Sequence, residues 1–512
     1  MKTFAAIDVG SFELSMKIFE ISSQTGMREI DHIRHHIDLG TDTYAVGKIS
    51  YARVDELCRY LNEFMKIMKS YKVSQYRAYG TSAIRETENT TIILDQVEQR
   101  TGIHIEVLSN SEQRFLDYKS IAFKGEVFNR FIEKGTAIVD IGGGSIQLSL
   151  FDKDTLMVTQ NLRLGVLRLR DYLNHLDVGR PQYETLIGEL VNSQLGVFKK
   201  LYLKDKQITN IIIVDDYMSG LMQKKFVSEG VSGQVDVAAF AAYMAQFEEK
   251  TPQELTKLFD MPEENVLLLY ISYLLLARII AVMGAELLWA PGVTLCDGIA
   301  YEYAQKHKIV LPEHDFEKDI LACTQNIGKR YMCSKKRGET LEKIAMTIFD
   351  SMKRIHGLGT RERLLLQIAA LLHDCGKYIS MVNLGECSYS IILATEIVGL
   401  SHQEREIVAN VVKYNHMEFE YYDDIGLRTS FDRESYLMMA KLTAILRVAN
   451  GLDRSHKQKF KNVKMRLVEN ELVITVETNE DITLEKGMFR NRADFFEEVF
   501  SVKPVIKQKR SL

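Results

Sequence analysis

The sequence predicts an α/β chain: two duplicated lobes facing each other across an anion-binding cleft, then an all-helical domain and a small α/β segment. Three observations carry this. Residues 137–141 form an apolar run that ends at Asp140-Ile141 and enters the glycine turn Gly142, Gly143, Gly144, with Ser145 next and a second strand-like run at 147–151. About 130 residues earlier the design occurs once already: an apolar run ends in Asp8, Gly10 and Ser11 turn the chain, and Leu14, Met16 and Ile18 alternate away from it. From about residue 317 onward the apolar residues recur at helical spacing.

Each turn has a chemical reading. Glycines at a strand end let backbone N–H groups approach an anion with no side chain in the way. An aspartate just before them can hold a metal ion or a metal-bound water. Two such turns in one chain point to lobes that grip phosphate from both sides, the arrangement of the actin-like ATPase superfamily. On this reading Asp8, Gly10, Ser11 and Gly142, Gly143, Gly144, Ser145 bind phosphate, and Asp140 with Asp8 holds magnesium.

The composition sets bounds. The 512 residues suffice for about three or four domains. At 46% hydrophobic and 26% charged the chain is an ordinary globular one, and a net charge of −4 gives no global pull toward nucleic acid or a membrane surface. Six cysteines without a C-x-x-C pair read as reduced thiols in a cytoplasmic protein. The N-terminus enters a strand with no basic and apolar leader. The most apolar stretch, 266–283, carries Tyr270, Tyr273 and Arg278 and reads as a core helix. Only six prolines occur and no linker is rich in Pro, Gly or Ser, so the domains are expected to pack tightly.

Taken in order, the first lobe spans 1–124. After its hairpin, 29–37 continues the sheet and 51–70 is an amphipathic helix, with Val54, Leu57, Leu61, Phe64 and Met65 at helical spacing. A strand at 76–81 ends in Gly80-Thr-Ser-Ala-Ile-Arg85, which delivers Arg85 at a helix start; its planar fork suits two oxygens of a phosphate. Residues 89–100 are helical and 104–108 a strand. Ser109-Asn-Ser-Glu-Gln-Arg114 then caps a helix running to about 123, which brings Glu112 and Gln113 near the mouth of the cleft.

The second lobe spans 125–308: a third strand at 156–163, the turn Leu164-Gly-Val-Leu-Arg168, helices over 182–201, a strand at 210–214 ending in Asp215-Asp-Tyr-Met-Ser-Gly220, and a closing turn and helix at 290–300. Residues 309–460 form the helical domain. His356, His373-Asp374 and Asp453 on successive helices outline a histidine–aspartate metal-hydrolase site, since both residue types bind hydrolytic divalent metals. Residues 461–512 form a small α/β domain, with strands at 465–468 and 472–476 and a helix at 490–500.

The ordered set Ala-Ile-Asp8-x-Gly10-Ser11, Gly-Thr-Ser-Ala-x-Arg85, Leu-Ser-x-x-Glu112, Asp140-Ile-Gly-Gly-Gly-Ser145, Asp297-Gly298-Ile and His373-Asp374-x-Gly-Lys377 resembles the exopolyphosphatase / guanosine pentaphosphate phosphohydrolase family in its long form. The resemblance covers essentially the whole chain. It implies two actin-like lobes, a helical histidine–aspartate-type domain and a small C-terminal domain. It also implies release of terminal phosphate from polyphosphate or guanosine pentaphosphate, assistance by magnesium, a glutamate that activates water, and a homodimer.

The sequence departs from that family where the chemistry sits. The family usually has Glu-Glu-Ala after the serine turn, with the second glutamate as general base; here Glu112-Gln113-Arg114 puts Gln113 there. The third motif usually ends Ser-Thr-Glu; here it ends Ser145-Ile146-Gln147. An amide can bond a water but cannot take its proton near neutral pH, and losing a positioned base costs about 10²–10⁴-fold. Glu112 is the remaining carboxylate for that role. Phe12 replaces an expected asparagine, Asp215 and Asp216 stand in a loop that is usually glycine-rich, and Cys387 and Asn415 fall where the helical domain usually has histidines, with His402 and His416 nearby. Three functions remain open: an active hydrolase in the cleft, a polyphosphate- or nucleotide-binding regulator with impaired hydrolysis, and a metal phosphohydrolase working through the helical domain.

Overall fold

The computed structural model describes residues 2–509 other than 25, 177, 178, 180, 181, 216, 313, 426–430 and 461. The chain divides into two compact units, Met1–Asp315 and Phe316–Leu512.

The first unit holds both lobes. In the first, β1 (Lys2–Val9), β2 (Glu13–Ser22) and β3 (Gly26–His36) form an antiparallel meander. The chain crosses by α1 (Tyr51–Ser70) to β4 (Gln75–Gly80), parallel to β1, and ends in α2 (Ser82–Glu86), α3 (Thr90–Thr101), the short β5 (Glu106–Val107) and α4 (Asn110–Ala122). The sheet order is β3-β2-β1-β4-β5. β1 reads as an unbroken apolar run because both its faces are covered. Ala5, Ile7 and Val9 pack with Leu57, Leu61 and Phe64 of α1. Phe4 and Ala6 pack on the opposite side.

The second lobe repeats the plan. β6 (Thr136–Ile141), β7 (Ile146–Asp152) and β8 (Thr155–Leu162) form the meander, α5 (Val166–His175) and α6 (Tyr183–Phe198) follow, and β9 (Asn210–Asp215) runs parallel to β6. β10 (Gln234–Asp236) and β11 (Leu287–Trp289) extend the sheet to the order β10-β11-β9-β6-β7-β8. The apolar α7 (Glu263–Met283) is long enough to cross a membrane. In this fold its Ile271, Leu275, Leu276 and Ile279 are fully buried in the lobe's core.

One helix is not where the sequence reading places it. α8 (Leu295–Lys306), assigned above to the second lobe, covers the outer face of the first lobe's sheet, with Leu295, Cys296, Ile299 and Tyr303 packed on Phe4, Ala6 and Leu116. The Asp297-Gly298 motif serves this crossing. Asp297 caps α8 through the Thr294 N–H at 2.7 Å and takes Lys17 Nζ of β2 at 2.8 Å. A Cβ on Gly298 would lie 2.0 Å from the Leu116 carbonyl oxygen of α4.

The second unit packs α9 (Phe316–Arg330), α10 (Lys335–Ser351), α11 (Thr360–Leu371), α12 (Leu384–Ala394), α13 (His402–Tyr414) and α14 (Arg433–Leu452). The terminal segment is part of this unit. β12 (Asn462–Val468) and β13 (Glu471–Glu477) form a hairpin, and β14 (Lys503–Lys509) adds in parallel to β13. The helix predicted at 490–500 is longer, α15 (Thr483–Phe500), and Phe489 and Arg492 lie against Gly451 of α14.

Candidate active site

The two turns are built alike. Gly10 N–H donates to the Glu13 carbonyl at 3.0 Å, and Gly142 N–H to the Ser145 carbonyl at 3.0 Å. These two glycine amides, expected above to bind phosphate, therefore close their own turns. The amides that follow them are different. Among the described residues, the N–H groups of Ser11, Phe12, Gly143, Gly144 and Ser145 donate to no backbone or side-chain acceptor. Successive free amides of this kind form a concavity that suits an anion.

The turns meet. A Cβ on Gly143 would lie 3.1 Å from the Ser11 Cβ, so the glycine lets the second lobe's loop touch the first lobe's serine. Ser11 Oγ bonds Ser82 Oγ at 2.9 Å and the Tyr44 hydroxyl at 2.9 Å. Ser145 is buried, and its hydroxyl has no partner among the described residues.

The predicted chemical residues fall on α4 and β7. Glu112 stands third in α4, and its Oε2 accepts the Ser109 N–H at 2.9 Å while Ser109 Oγ accepts the Glu112 N–H at 3.2 Å. This is a reciprocal capping box. The carboxylate considered as a substitute base thus caps the helix end through its Oε2, as the Ser-x-x-Glu spacing favours. Gln113 points one position around the helix, and its Oε1 lies 3.4 Å from Arg85 Nη1. Arg85 belongs to the last turn of the five-residue α2 rather than to a helix start, and it also donates to the Leu108 carbonyl at 2.7 Å. Gln147 is 3% exposed, and its Oε1 takes Arg114 Nε of α4 at 3.1 Å. Each amide expected to replace a glutamate therefore faces a guanidinium.

Asp8 and Asp140 end equivalent strands, the first opposite Ser15 and the second opposite Gln147. Their hard oxygens fit magnesium, which takes one or two carboxylates plus waters and substrate phosphate oxygens rather than a full protein cage. Asp215 is satisfied within its own lobe: Oδ1 takes the N–H groups of Tyr217 and Met218, and Oδ2 the Ser272 hydroxyl at 2.5 Å. Asp216 lies outside the described residues. Phe12 packs edge-on against His36 at 4.2 Å and against Tyr217 of the second lobe at 5.8 Å.

In the helical unit the four predicted metal ligands are not assembled. His356 uses both ring nitrogens locally, Nε2 donating to the Phe349 carbonyl and Nδ1 accepting the Leu358 N–H, each at 2.9 Å. Both Asp453 oxygens accept from Gln458. Asp374 already has Lys377 Nζ at 3.1 Å and Arg337 Nη1 at 3.8 Å. His373 is fully buried with Nδ1 on the Ala370 carbonyl, and burial holds its ring well below the ordinary imidazole pKa. His416 bonds the His373 carbonyl at 2.7 Å, and His402 contacts Arg405. Among the described residues no three His, Cys, Asp or Glu side chains gather as a metal site, and two cations already flank the one carboxylate that would start it. In this arrangement the described side chains do not form a divalent-metal site, while His373 Nε2 and Asp374 Oδ1 are buried without a hydrogen-bond partner.

Four participants in the junction were not singled out from sequence: Ser82, Tyr44, Arg114 and Arg168. Arg168 donates to the Gly144 carbonyl at 3.1 Å and to Glu86 Oε2 at 2.7 Å. Its place in the turn after β8 was visible in the sequence, but its reach across to the first lobe was not.

Two repeated strand–turn–strand lobes, each presenting free backbone amides at its turn, define a two-lobe α/β class. The comparisons narrow it. The profile of the Ppx/GppA phosphatase family matches residues 17–307, and that of Ppx/GppA phosphatase domain III matches residues 321–492; the chain belongs to this family. It is 27% identical over 182 residues to exopolyphosphatase 1 of Mycobacterium bovis, a match over 35% of this chain and 52% of that one. The chain thus spans about half the length of the curated relatives it matches first. It is 19% identical over 80% of each chain to the guanosine-5'-triphosphate,3'-diphosphate pyrophosphatase of Vibrio vulnificus. The solved exopolyphosphatase from Cytophaga hutchinsonii superposes on 60% of this chain and all of its own, at 18% identity and a TM-score of 0.52. The first unit thus has the actin-like two-lobe fold of that family, whose named relatives are hydrolases.

Proposed function

We propose that the chain is a phosphoanhydride hydrolase that takes the terminal phosphate of polyphosphate or of guanosine pentaphosphate at the lobe junction, and that it turns over slowly. The observation that carries this reading is the pair of opposed turns whose amides, at Ser11, Phe12 and at Gly143, Gly144, Ser145, have no acceptor among the described residues. Polyanionic phosphate supplies acceptors to both sets at once, and the hydroxyls of Ser11, Ser82 and Ser145 add donors. Asp8 and Asp140 would hold magnesium, which when bound offsets charge on the phosphoryl oxygens. Arg85 orients Gln113, and Arg114 orients Gln147. Both amides can position the attacking water, and neither can accept its proton, so the chemical step lacks a general base. Six free cysteines, four of them buried, accord with a cytoplasmic setting.

The test is phosphate release from medium-chain polyphosphate and from guanosine pentaphosphate by the purified protein with magnesium. Slow release that is lost in a Gly143→Val variant supports the reading; undiminished release by that variant sinks it. A second reading, a binding protein of the same fold, is favoured by one observation: the Glu112 carboxylate is used to cap the N-terminus of α4. It predicts tight binding of the same ligands with no release.

A further inference from the structure

The anion site has an occupant of its own. Between α1 and β3 the chain makes a short helical passage, Leu39–Thr41 continuing as Asp42–Val46. It places the Tyr44 side chain between the two turns. The Tyr44 hydroxyl lies 2.9 Å from Ser11 Oγ and donates to Ser82 Oγ at 2.9 Å. On the other side a Cβ at Gly144 would lie 2.3 Å from that hydroxyl, so the phenol sits directly on the second lobe's glycine turn. Burial raises the pKa of the phenol, which keeps it a neutral hydrogen-bonding group. The Arg168 guanidinium lies 4.6 Å from the centre of the Tyr44 ring while bonding Gly144 and Glu86.

Further contacts hold the lobes in this state. Arg170 lies 3.5 Å from Asp38 and bonds the Thr41 hydroxyl. A Cβ on Gly40 would lie 2.6 Å from Leu167. The first lobe's contribution to this face is the 38–46 segment, with Glu86 beside it; the second lobe's is the start of α5. No oxyanion can reach the serine hydroxyls and the Gly143–Gly144 amides together while the phenol lies between them.

We infer that Tyr44 is a gate: it stands in for a phosphate oxygen in the closed state, and ligand entry requires the 38–46 segment to move and the Arg168–Glu86 and Arg170–Asp38 pairs to part. This inference rests on the reading of the junction as the phosphate site. The phenol hydrogen-bonds both serine hydroxyls, which also bond each other, so the closed state competes with substrate for the same groups. Affinity for phosphate chains is reduced by the fraction of molecules that are closed. Glu86 and Asp38 pair with the two arginines only in the closed state, which leaves Arg168 and Arg170 available to the polyanion once the gate opens.

The experiment is equilibrium binding of medium-chain polyphosphate to wild type, Tyr44→Phe and Tyr44→Ala by calorimetry. Hydrogen exchange of wild type is followed with and without saturating polyphosphate. Tyr44→Ala is expected to bind about tenfold more tightly, and Tyr44→Phe, which loses two hydroxyl bonds but keeps the ring, about threefold. In wild type, ligand is expected to speed amide exchange over 39–47 while slowing it at 10–12 and 142–145. Equal or weaker binding by both variants, with wild type binding, overturns the gate and leaves the site standing. Protection of 39–47 by ligand overturns it as well, because Tyr44 would then be a ligand contact. If neither wild type nor Tyr44→Ala binds polyphosphate or guanosine pentaphosphate, the site itself is wrong and the gate falls with it. The exchange measurement needs no variant and decides the matter if Tyr44→Ala does not fold.

Discussion

Replacing Gln113 and Gln147 with glutamate exchanges two NH₂ groups for oxygens and leaves side-chain volume almost unchanged, so packing contributes little. The response is therefore chemical. Gln147 Oε1 already takes Arg114 Nε at 3.1 Å at a buried site. A carboxylate in that place makes a charge-assisted bond, stronger than the neutral one, against the cost of burying a second charge. The expected net gain is about 1 kcal/mol at pH 7. Gln113 is half-buried and 3.4 Å from Arg85, so a glutamate there regains a proton acceptor whose basicity the arginine trims. A restored base is worth about 10²–10⁴-fold. The trimmed one should give about 10², or roughly 2.7 kcal/mol of barrier. The assay is single- and multiple-turnover phosphate release with magnesium by wild type, both single variants and the double variant. A double variant that binds polyphosphate as wild type does, melts no lower, and still turns over less than tenfold faster would refute the argument that the missing base limits this chain.

Other expectations follow from the same geometry. Glu112→Gln should cost about 0.3–1.5 kcal/mol of stability, read by denaturant melts, with phosphate release within about twofold of wild type; a hundredfold loss of release would restore Glu112 as the base. The helical unit should take up no stoichiometric manganese or zinc, and a chelator should leave its melting temperature unchanged; about one metal per chain, lost in His373→Ala, would overturn the unfit metal centre. His32 is held neutral at a pKa of about 4 by burial and by the nearby Lys17 and Arg34. Its folded value lies below its unfolded value of about 6.5, so its stabilising contribution is present above pH 6.5 and lost as the pH falls toward 4. His32→Gln should flatten the drop in melting temperature over that interval, and an unchanged profile would dismiss the contribution.

How much of this was legible in the sequence differs by element. The paired turns were, because a glycine turn between an apolar run and an alternating strand is a local signal that needs no partner to be seen. The helix cap was legible too, because Ser109-x-x-Glu112 is the local spacing of a capping box. The helix α8 was misplaced because a linear reading assigns each helix to the sheet it follows, and nothing local in 295–306 shows that it returns to Phe4 and Ala6. β14 was missed because its outer half, Lys507-Gln-Lys509, has the charge of an edge strand and no alternating apolar pattern. Tyr44 gave no signal at all: its segment is short and carries no amphipathic period, and its importance comes only from contacts with residues 33 and 38 positions away in sequence and with a turn in the other lobe.

The two unusual features of the junction act on different steps, and that makes them separable. On the proposed reading the side-chain amides at 113 and 147 bear on the attacking water and its proton, which matters only in the transition state. Tyr44 competes with the bound ground state. Removing the gate should therefore lower the concentration of polyphosphate needed for half-maximal rate, and restoring glutamates should raise the maximal rate. If both assignments are right, the combination of Tyr44→Ala with the two glutamates should show the sum of the separate effects within about 0.5 kcal/mol, although Gly144 and Gln147 lie only three residues apart. A strong departure from additivity would mean that Tyr44 also positions the water. The gate would then be part of the catalytic apparatus, closing over the substrate instead of standing in its place.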